Sequence, residues 1–360
     1  MKNVFSALIF LLLASCSSGT KENLPHASGA SGDIYLIMDA EQWKGELGAV
    51  LDSVFNAEMP GLPHDEKIFH MRWIDPIKLN FVLKQGRNLI FVTTLDKHTS
   101  GAAIVQKLFT PQSLEKIKED TSQYVKTTAN VYARGQEVMY LYGNSERNLL
   151  AQIRKNQSKL VEFFNVKERE RLTAALSKKE VKGVSTWMQK NFQASMHIPF
   201  GYKLVTNEKD FLWVRQINPK DDRDVFIARK KYISQDQFRQ DSIIAFRDQV
   251  CRKYLFEDPD RPDTYLMTET TVPFLPVQSA PISFNNHFAM KTIGLWRTNN
   301  LTMGGPFMGI SVVDDKTGWF YYLEGFTFSP SRDQREIMRE LETILYSFRT
   351  QDQLPAKQTN

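Results

Sequence analysis

The chain has 360 residues, 42% hydrophobic and 24% charged, with a formal net charge of +5 at pH 7. That is the balance of an ordinary globular protein, and its positive charge is too small and too dispersed to argue for a nucleic-acid partner. The length exceeds what one hydrophobic core usually spans, so two domains are expected. There are two cysteines, Cys16 and Cys251.

The first element is a targeting segment over residues 1–15. Lys2 supplies the positive start and Val4 to Leu13 an apolar run too short to span a bilayer, followed by small residues. It closes on Leu13-Ala14-Ser15-Cys16, which resembles a bacterial lipobox: a branched residue, two small ones, and the cysteine that carries the lipid. The resemblance implies cleavage before Cys16 and acylation of its thiol and amine, hence a membrane attachment through an N-terminal lipid anchor with palmitate-type chains. Several acyl chains hold far more firmly than one, since each buried methylene contributes about 0.8 kcal/mol. Ser17 stands where some bacteria place Asp to retain a lipoprotein in the inner membrane, which implies the outer membrane, with the body facing the periplasm. With Cys16 so used, Cys251 has no partner for an internal disulfide. Residues 16–32 are small and polar and read as a flexible tether.

An N-terminal α+β domain is expected over 33–178. Asp33 to Met38 reads as a strand, and Trp43, Leu47, Val50, Leu51 and Val54 fall on one face of a helix. Pro60, Gly61 and Pro63 stop that helix. Ile68 to Trp73 and Asn88 to Thr94 read as strands, a helix starts near Pro111, and Val131 to Tyr142 reads as a hairpin turning at Arg134-Gly135-Gln136. The next helix carries Leu149, Ile153, Leu160 and Phe164 on its core face and runs into a stretch of mixed charge, where the domain boundary is placed near residue 178.

A C-terminal α+β domain is expected over 179–350. It has strands near Phe211 to Ile217 and Val225 to Tyr232, and a helix from Ser234 to about Tyr254 with Cys251 on its core face. Strands follow over Thr264 to Thr271, Phe288 to Arg297, Pro306 to Val313 and Gly318 to Phe328, and a final helix carries Ile337, Leu341, Ile344, Leu345 and Phe348. Residues 351–360 read as a disordered tail. The fold class that follows is α+β, two domains, each a mostly antiparallel sheet covered by helices, with the helices on one side.

Two resemblances rest on particular segments. The lipobox, the Phe69 to Val92 region, Tyr132-Ala133-Arg134-Gly135-Gln136, Ile198-Pro199-Phe200-Gly201-Tyr202 and Phe211-Leu212-Trp213-Val214-Arg215 together resemble a lipoprotein family of Bacteroidetes-type bacteria known only as a domain of unknown function. The second half, from Pro199-Phe200-Gly201-Tyr202 through to Tyr321-Tyr322-Leu323-Glu324-Gly325 and the last helix, resembles the Mog1/PsbP-like fold in its order of elements. Neither resemblance brings catalytic residues, and the second implies an accessory or interaction protein.

A search for chemistry finds no Gly-x-Ser-x-Gly elbow and no phosphate-binding glycine loop. His64-Asp65-Glu66 with His70 is the nearest approach to a metal cluster, but it lacks helical ligand pairing and reads better as a polar loop. Asp258, Asp260 and Asp263 offer calcium ligands on a loop that alternate prolines make rigid first. No catalytic residue, metal or cofactor is therefore assigned. Aromatic residues crowd the later strands. Alternation sends Trp319 and Tyr321 to one face of a strand and Phe320 and Tyr322 to the other, so that, with Trp296, an outward pair is expected to offer a ligand or partner surface. The reading that results is a lipid-anchored cell-envelope protein, a non-enzymatic binding or protein-interaction module at the outer membrane, with an envelope protein or small molecule as partner. The alternative is an envelope hydrolase acting on cell wall or glycan through carboxylates the sequence does not single out.

Overall fold

The structure, a computed structural model, describes residues 24–255 and 263–354. The targeting segment, Cys16, Asp258, Asp260 and the end of the tail lie outside the described residues. Two compact units are present, and the α+β, two-domain class holds. The first unit comprises the chain up to Asn56 together with Phe69–Phe164, and the second comprises Ala57–Ile68 together with the chain from Asn165. By its contacts the chain divides within α6, after Phe164, and a short excursion of the first half belongs to the second unit. No described helix is long and apolar enough to cross a membrane.

The first unit is built on strands β1 (Asp33–Ile37), β2 (His70–Ile74), β3 (Asn88–Thr94), β4 (Val125–Ala129) and β5 (Glu137–Gly143), in the spatial order β2-β1-β3-β5-β4. Three of its four pairings are parallel, and only β4 with β5 is antiparallel. The mostly antiparallel sheet expected here is thus corrected. The connections carry helices α1 (Ala40–Lys44) and α2 (Glu46–Phe55) between β1 and β2, α3 (Phe81–Lys84) between β2 and β3, and α4 (Ser100–Gln106) and α5 (Pro111–Glu119) after β3. A helical crossover returns the chain to the end it left, so the next strand runs the same way. Every residue of β3 is buried, as a central parallel strand requires. The hairpin's first arm is 125–129, earlier than its sequence reading. Asp39 caps α1 while also accepting a 2.6 Å hydrogen bond from the Thr99 hydroxyl.

The expected flexible tether is also shortened. Backbone hydrogen bonds join Ala27 N to Arg134 O, Arg134 N to Pro25 O, Ser28 N to Gln85 O and Arg87 N to Ser28 O, so the chain is fixed to this unit from Pro25 onward.

Helix α6 (Glu146–Leu176) departs from helical angles at Asn156. The second unit continues with α7 (Val184–Asn191), β6 (Ala194–Ser195), β7 (Lys203–Glu208), β8 (Phe211–Ile217), β9 (Asp222–Lys231), α8 (Gln240–Tyr254), β10 (Leu266–Glu269), β11 (Gln278–Phe284), β12 (His287–Thr298), β13 (Gly304–Asp314), β14 (Trp319–Phe328), α9 (Arg335–Tyr346) and β15 (Arg349–Thr350). An eight-stranded sheet runs in the order β10-β12-β13-β14-β9-β8-β7, with β11 also on β12, and its pairings are all antiparallel. Hairpins dominate its connections, which is why it meets the expectation that the first sheet does not.

Helices cover this sheet on both faces, not one. On one face Val214, Ile227, Ile310 and Leu323 pack with Met188 and Phe192 of the α7 region and Leu341 and Ile344 of α9. On the other, Phe211, Phe226, Phe320 and Tyr322 pack with Ile243, Val250 and Cys251 of α8. Gly325 lets α9 approach, since a Cβ there would lie 2.8 Å from the Leu341 Cβ. Gly309 leaves room for Tyr322, whose hydroxyl would sit 2.4 Å from an added Cβ.

The excursion Ala57–Ile68 meets the start of α9. Glu66 accepts from the Gln334 backbone N–H at 2.7 Å and the Arg335 N–H at 2.8 Å, and Arg335 donates to Lys67 O at 3.0 Å. A carboxylate satisfies donors that a helix start leaves open, and the helix dipole adds to the attraction.

Candidate functional site

Strand alternation on β9 sends Arg229 and Lys231 to the α7 side of the second sheet, and register places Trp319 of β14 opposite Lys231. The Arg229 guanidinium lies 4.3 Å from the Trp319 ring centre and the Lys231 ammonium 3.9 Å from it. Both are distances at which the ring's negative face attracts a cation. Arg229 is fixed further by Asp210 at 2.9 Å and by the Phe192 ring at 4.7 Å, and the Trp319 indole N–H donates to Gln193 Oε1 at 3.1 Å.

A third strand end supplies the loop beside this ring. Asp314, fully buried, accepts from the backbone N–H of Lys316 at 2.9 Å and of Thr317 at 3.2 Å, while its other oxygen accepts from Gln351 N at 3.0 Å. Gly318 then takes a positive φ of 66° to re-enter β14. These bonds spend the Asp314 carboxylate on the backbone, and Lys316 is exposed.

The result is an open cleft of about 1070 Å³ lined by Trp319, Lys231 and Lys316, with Lys190, Thr186 and Gln193 from α7 and its C-terminal turn. No carboxylate lines it. Among the described residues none of Lys190, Lys231 and Lys316 makes an ion pair. Three uncompensated ammonium groups with amide and hydroxyl donors beside them complement an oxyanion. The Trp319 ring serves as the platform that holds two cations in place.

Of the aromatic surface expected from sequence, Trp319 alone is in this site. Trp296 is 1% exposed, and Phe320, Tyr321 and Tyr322 are wholly buried. The expectation of an outward pair is corrected because α8 covers the face that Phe320 and Tyr322 occupy. The Tyr321 hydroxyl donates to Phe192 O at 2.6 Å, and burial pushes its pKa up to about 12. Lys190, Lys231 and Lys316 were not singled out by sequence, and no local spacing joins them. The signal that existed was the 319–322 aromatic run following an Asp-Asp-Lys-Thr-Gly loop.

Burial raises Glu324, whose carboxylate takes two 2.8 Å hydrogen bonds from the fully buried Arg247 and one of 2.5 Å from the Tyr322 hydroxyl. Burial likewise raises Asp224 to about 7, although the Trp213 indole donates to it at 2.9 Å and Arg215 lies 3.3 Å away. Both carboxyls point to the α8 face, where no cleft opens to them: Glu324 is 0% and Asp224 1% exposed. The Cys251 thiol is also wholly buried and its pKa is pushed up by desolvation, the opposite of an activated nucleophile. Both oxygens of Glu66, which with His64, Asp65 and His70 reads from sequence as a polar loop rather than a metal cluster, are committed to α9. Among the described residues no group of three or more His, Cys, Asp or Glu is placed to hold a metal.

Residues 182–347 match a family described as a domain of unknown function (DUF4837), and residues 27–177 match another so described (DUF8532). No curated protein matches the chain. Among solved structures, the Saccharomyces cerevisiae Ran-binding protein Mog1p is 8% identical, with 44% of this chain and 90% of that chain covered, at a TM-score of 0.28. A mutant of protein Mog1 gives the same values. A Bacteroides thetaiotaomicron structure is 8% identical at a TM-score of 0.24, and the match spans 44% of this chain and 45% of that chain. The Mog1 likeness read from element order is thus met among solved structures, at similarities too low to build on.

Proposed function

We propose that this chain is a lipid-anchored protein of a bacterial cell envelope, held at the outer membrane through Cys16, that works by binding an anionic ligand or the acidic segment of an envelope protein in the Trp319 cleft. The observation that carries the binding role is the cleft's charge: three lysines without ion-pair partners, and no carboxylate. Acid–base hydrolysis of a glycan needs two carboxyls at the substrate. The carboxyls whose pKa values are raised, Asp224 and Glu324, are buried at 1% and 0% exposure, which argues against the hydrolase alternative. The anchor reading rests on the apolar run and Leu13-Ala14-Ser15-Cys16.

The test is native mass spectrometry of the full-length protein extracted from its own membranes in mild detergent, beside the variant Lys231→Glu/Lys316→Glu. The expected result is a stoichiometric anionic companion on the parent protein, with occupancy lowered about tenfold or more in the variant, since each reversal turns attraction into repulsion. A companion retained equally by the variant, or none on the parent, would overturn the cleft as the binding site.

A further inference from the structure

We propose that the first unit lies on the bilayer through an apolar knob made by Ile77, Phe81 and Val82, so that the membrane is a docking surface for the folded body as well as for the anchor. Ile77 is 62% exposed, Phe81 72% and Val82 69%. They project from the short crossover between β2 and β3, a 3₁₀ turn at Pro76–Lys78 followed by α3, in which no residue of α3 is buried. Their outward position is built. The Asp75 carboxylate accepts from Ile77 N at 3.0 Å, Asn80 Oδ1 accepts from Leu83 N at 3.0 Å, and the Gln136 amide clamps the end of α3 by donating to Lys84 O and Gly86 O at 2.6 Å each. Ile104 of α4, which packs on the 3₁₀ turn, extends the patch and is 37% exposed.

The occupant is indicated by where the chain leaves the described structure. Ser28 is bonded to Gln85, directly after α3, and Pro25 to Arg134. From Pro25 to Cys16 is nine residues (25 − 16), which span at most about 32 Å in any conformation. A lipid on Cys16 therefore keeps the bilayer within reach of the knob. The charges around it fit an anionic headgroup layer: Arg72, Lys78, Lys84 and Arg87 lie in the same stretch with a single acid, Asp75, whose carboxylate is already engaged by backbone. Apolar side chains inserted at the interface, with cations close to them in the chain, are the arrangement by which a protein lies on a membrane.

This inference rests on the lipid-anchor reading, and one experiment separates the two. The full chain isolated from membranes is placed in vesicles of phosphatidylethanolamine and phosphatidylglycerol carrying a phospholipid with a photoreactive acyl chain, irradiated, and digested for peptide mass spectrometry. We expect lipid adducts on the peptide holding Ile77 to Lys84, and none on peptides holding Ile233 or Phe274, which are as exposed but belong to the second unit. The variant Phe81→Ser/Val82→Ser, at positions too exposed to disturb folding, should lower that adduct about tenfold. The N-terminal peptide of the same digest shows whether Cys16 is acylated. Acylated Cys16 with no preference for the 77–84 peptide overturns the knob and leaves the anchor standing. Unmodified Cys16 with adducts on 77–84 overturns the anchor and leaves the knob standing.

Discussion

The two faces of the second unit's sheet are buried by different chemistry. Under α7 and α9 the strands present mainly aliphatic side chains, Val214, Ile227, Ile310 and Leu323, which pack with Met188, Phe192, Leu341 and Ile344. Under α8 they present Phe211, Phe226, Phe307 and Phe320, and among these rings the fold buries Arg247, Glu324 and Asp224. Aliphatic packing gains from area and shape, and loses by cavities. The aromatic face adds a bidentate ion pair whose two members must stay together, because desolvation costs each of them several kcal/mol that their mutual attraction only offsets when both are present. A single change thus leaves a cavity on one side of the sheet and can strand a buried charge on the other.

The largest effect should come from breaking that pair. Arg247→Ala leaves the buried Glu324 without its counter-charge, and urea unfolding should show a loss of about 3–5 kcal/mol. Arg247→Met/Glu324→Leu, which removes both charges and keeps volume, should return close to the parent stability. If the double variant is as unstable as the single one, the pair stabilises through more than charge compensation and the two faces differ less in kind. On the aliphatic face Leu341→Ala should cost about 3 kcal/mol with no second change able to restore it short of refilling the cavity.

A pH titration of stability sharpens the comparison, because among the described residues the carboxyl raised to near neutrality, Asp224, lies on the α8 face. Asp224 has an ordinary value of 3.8 and a folded value of about 7. Between these the folded protein keeps a proton that the unfolded chain releases, so this group's contribution to stability falls as pH rises through the window, by at most about 1.4 kcal/mol per pH unit. Asp224→Asn should flatten the curve of unfolding free energy over that range; an unchanged slope would show that Arg215 keeps the carboxyl ionised. The smallest effect should be Glu66→Ala, which removes the acceptor at the start of α9 on the aliphatic side and should cost about 1 kcal/mol in the same unfolding assay.

Much of this architecture was legible from periodicity. Asn88 to Thr94 reads as a strand and is one to the residue, and the apolar face of α9 follows from Ile337, Leu341, Ile344 and Leu345. Strand direction in the first unit was lost although its signal was present, since helices interleave with strands there and β3 is apolar without alternation. β11 was missed because Pro281 and polar neighbours disguise a strand at the edge of the sheet. The exposure of Phe320 and Tyr322 was misjudged because alternation separates two faces without saying what covers either. The answer lay in Ile243, Val250 and Cys251, an apolar helix face that had to be buried against something. The cleft lysines could not be grouped by sequence, as they come from a helix, a strand end and a turn far apart in the chain.

Glu66 and Gln334, which meet at the start of α9, are 268 positions apart in the chain. At a synthesis rate of about 5–20 residues per second, Glu66 emerges roughly 13–54 s before the backbone it holds exists. During that interval the first unit has its own strands complete by Gly143, while the Ala57–Ile68 loop between two of them waits for its place. A chain emerging from its N-terminus can therefore settle its parallel sheet early, but the antiparallel unit closes last, and a stalled or truncated product would carry a finished first unit with an unclaimed loop.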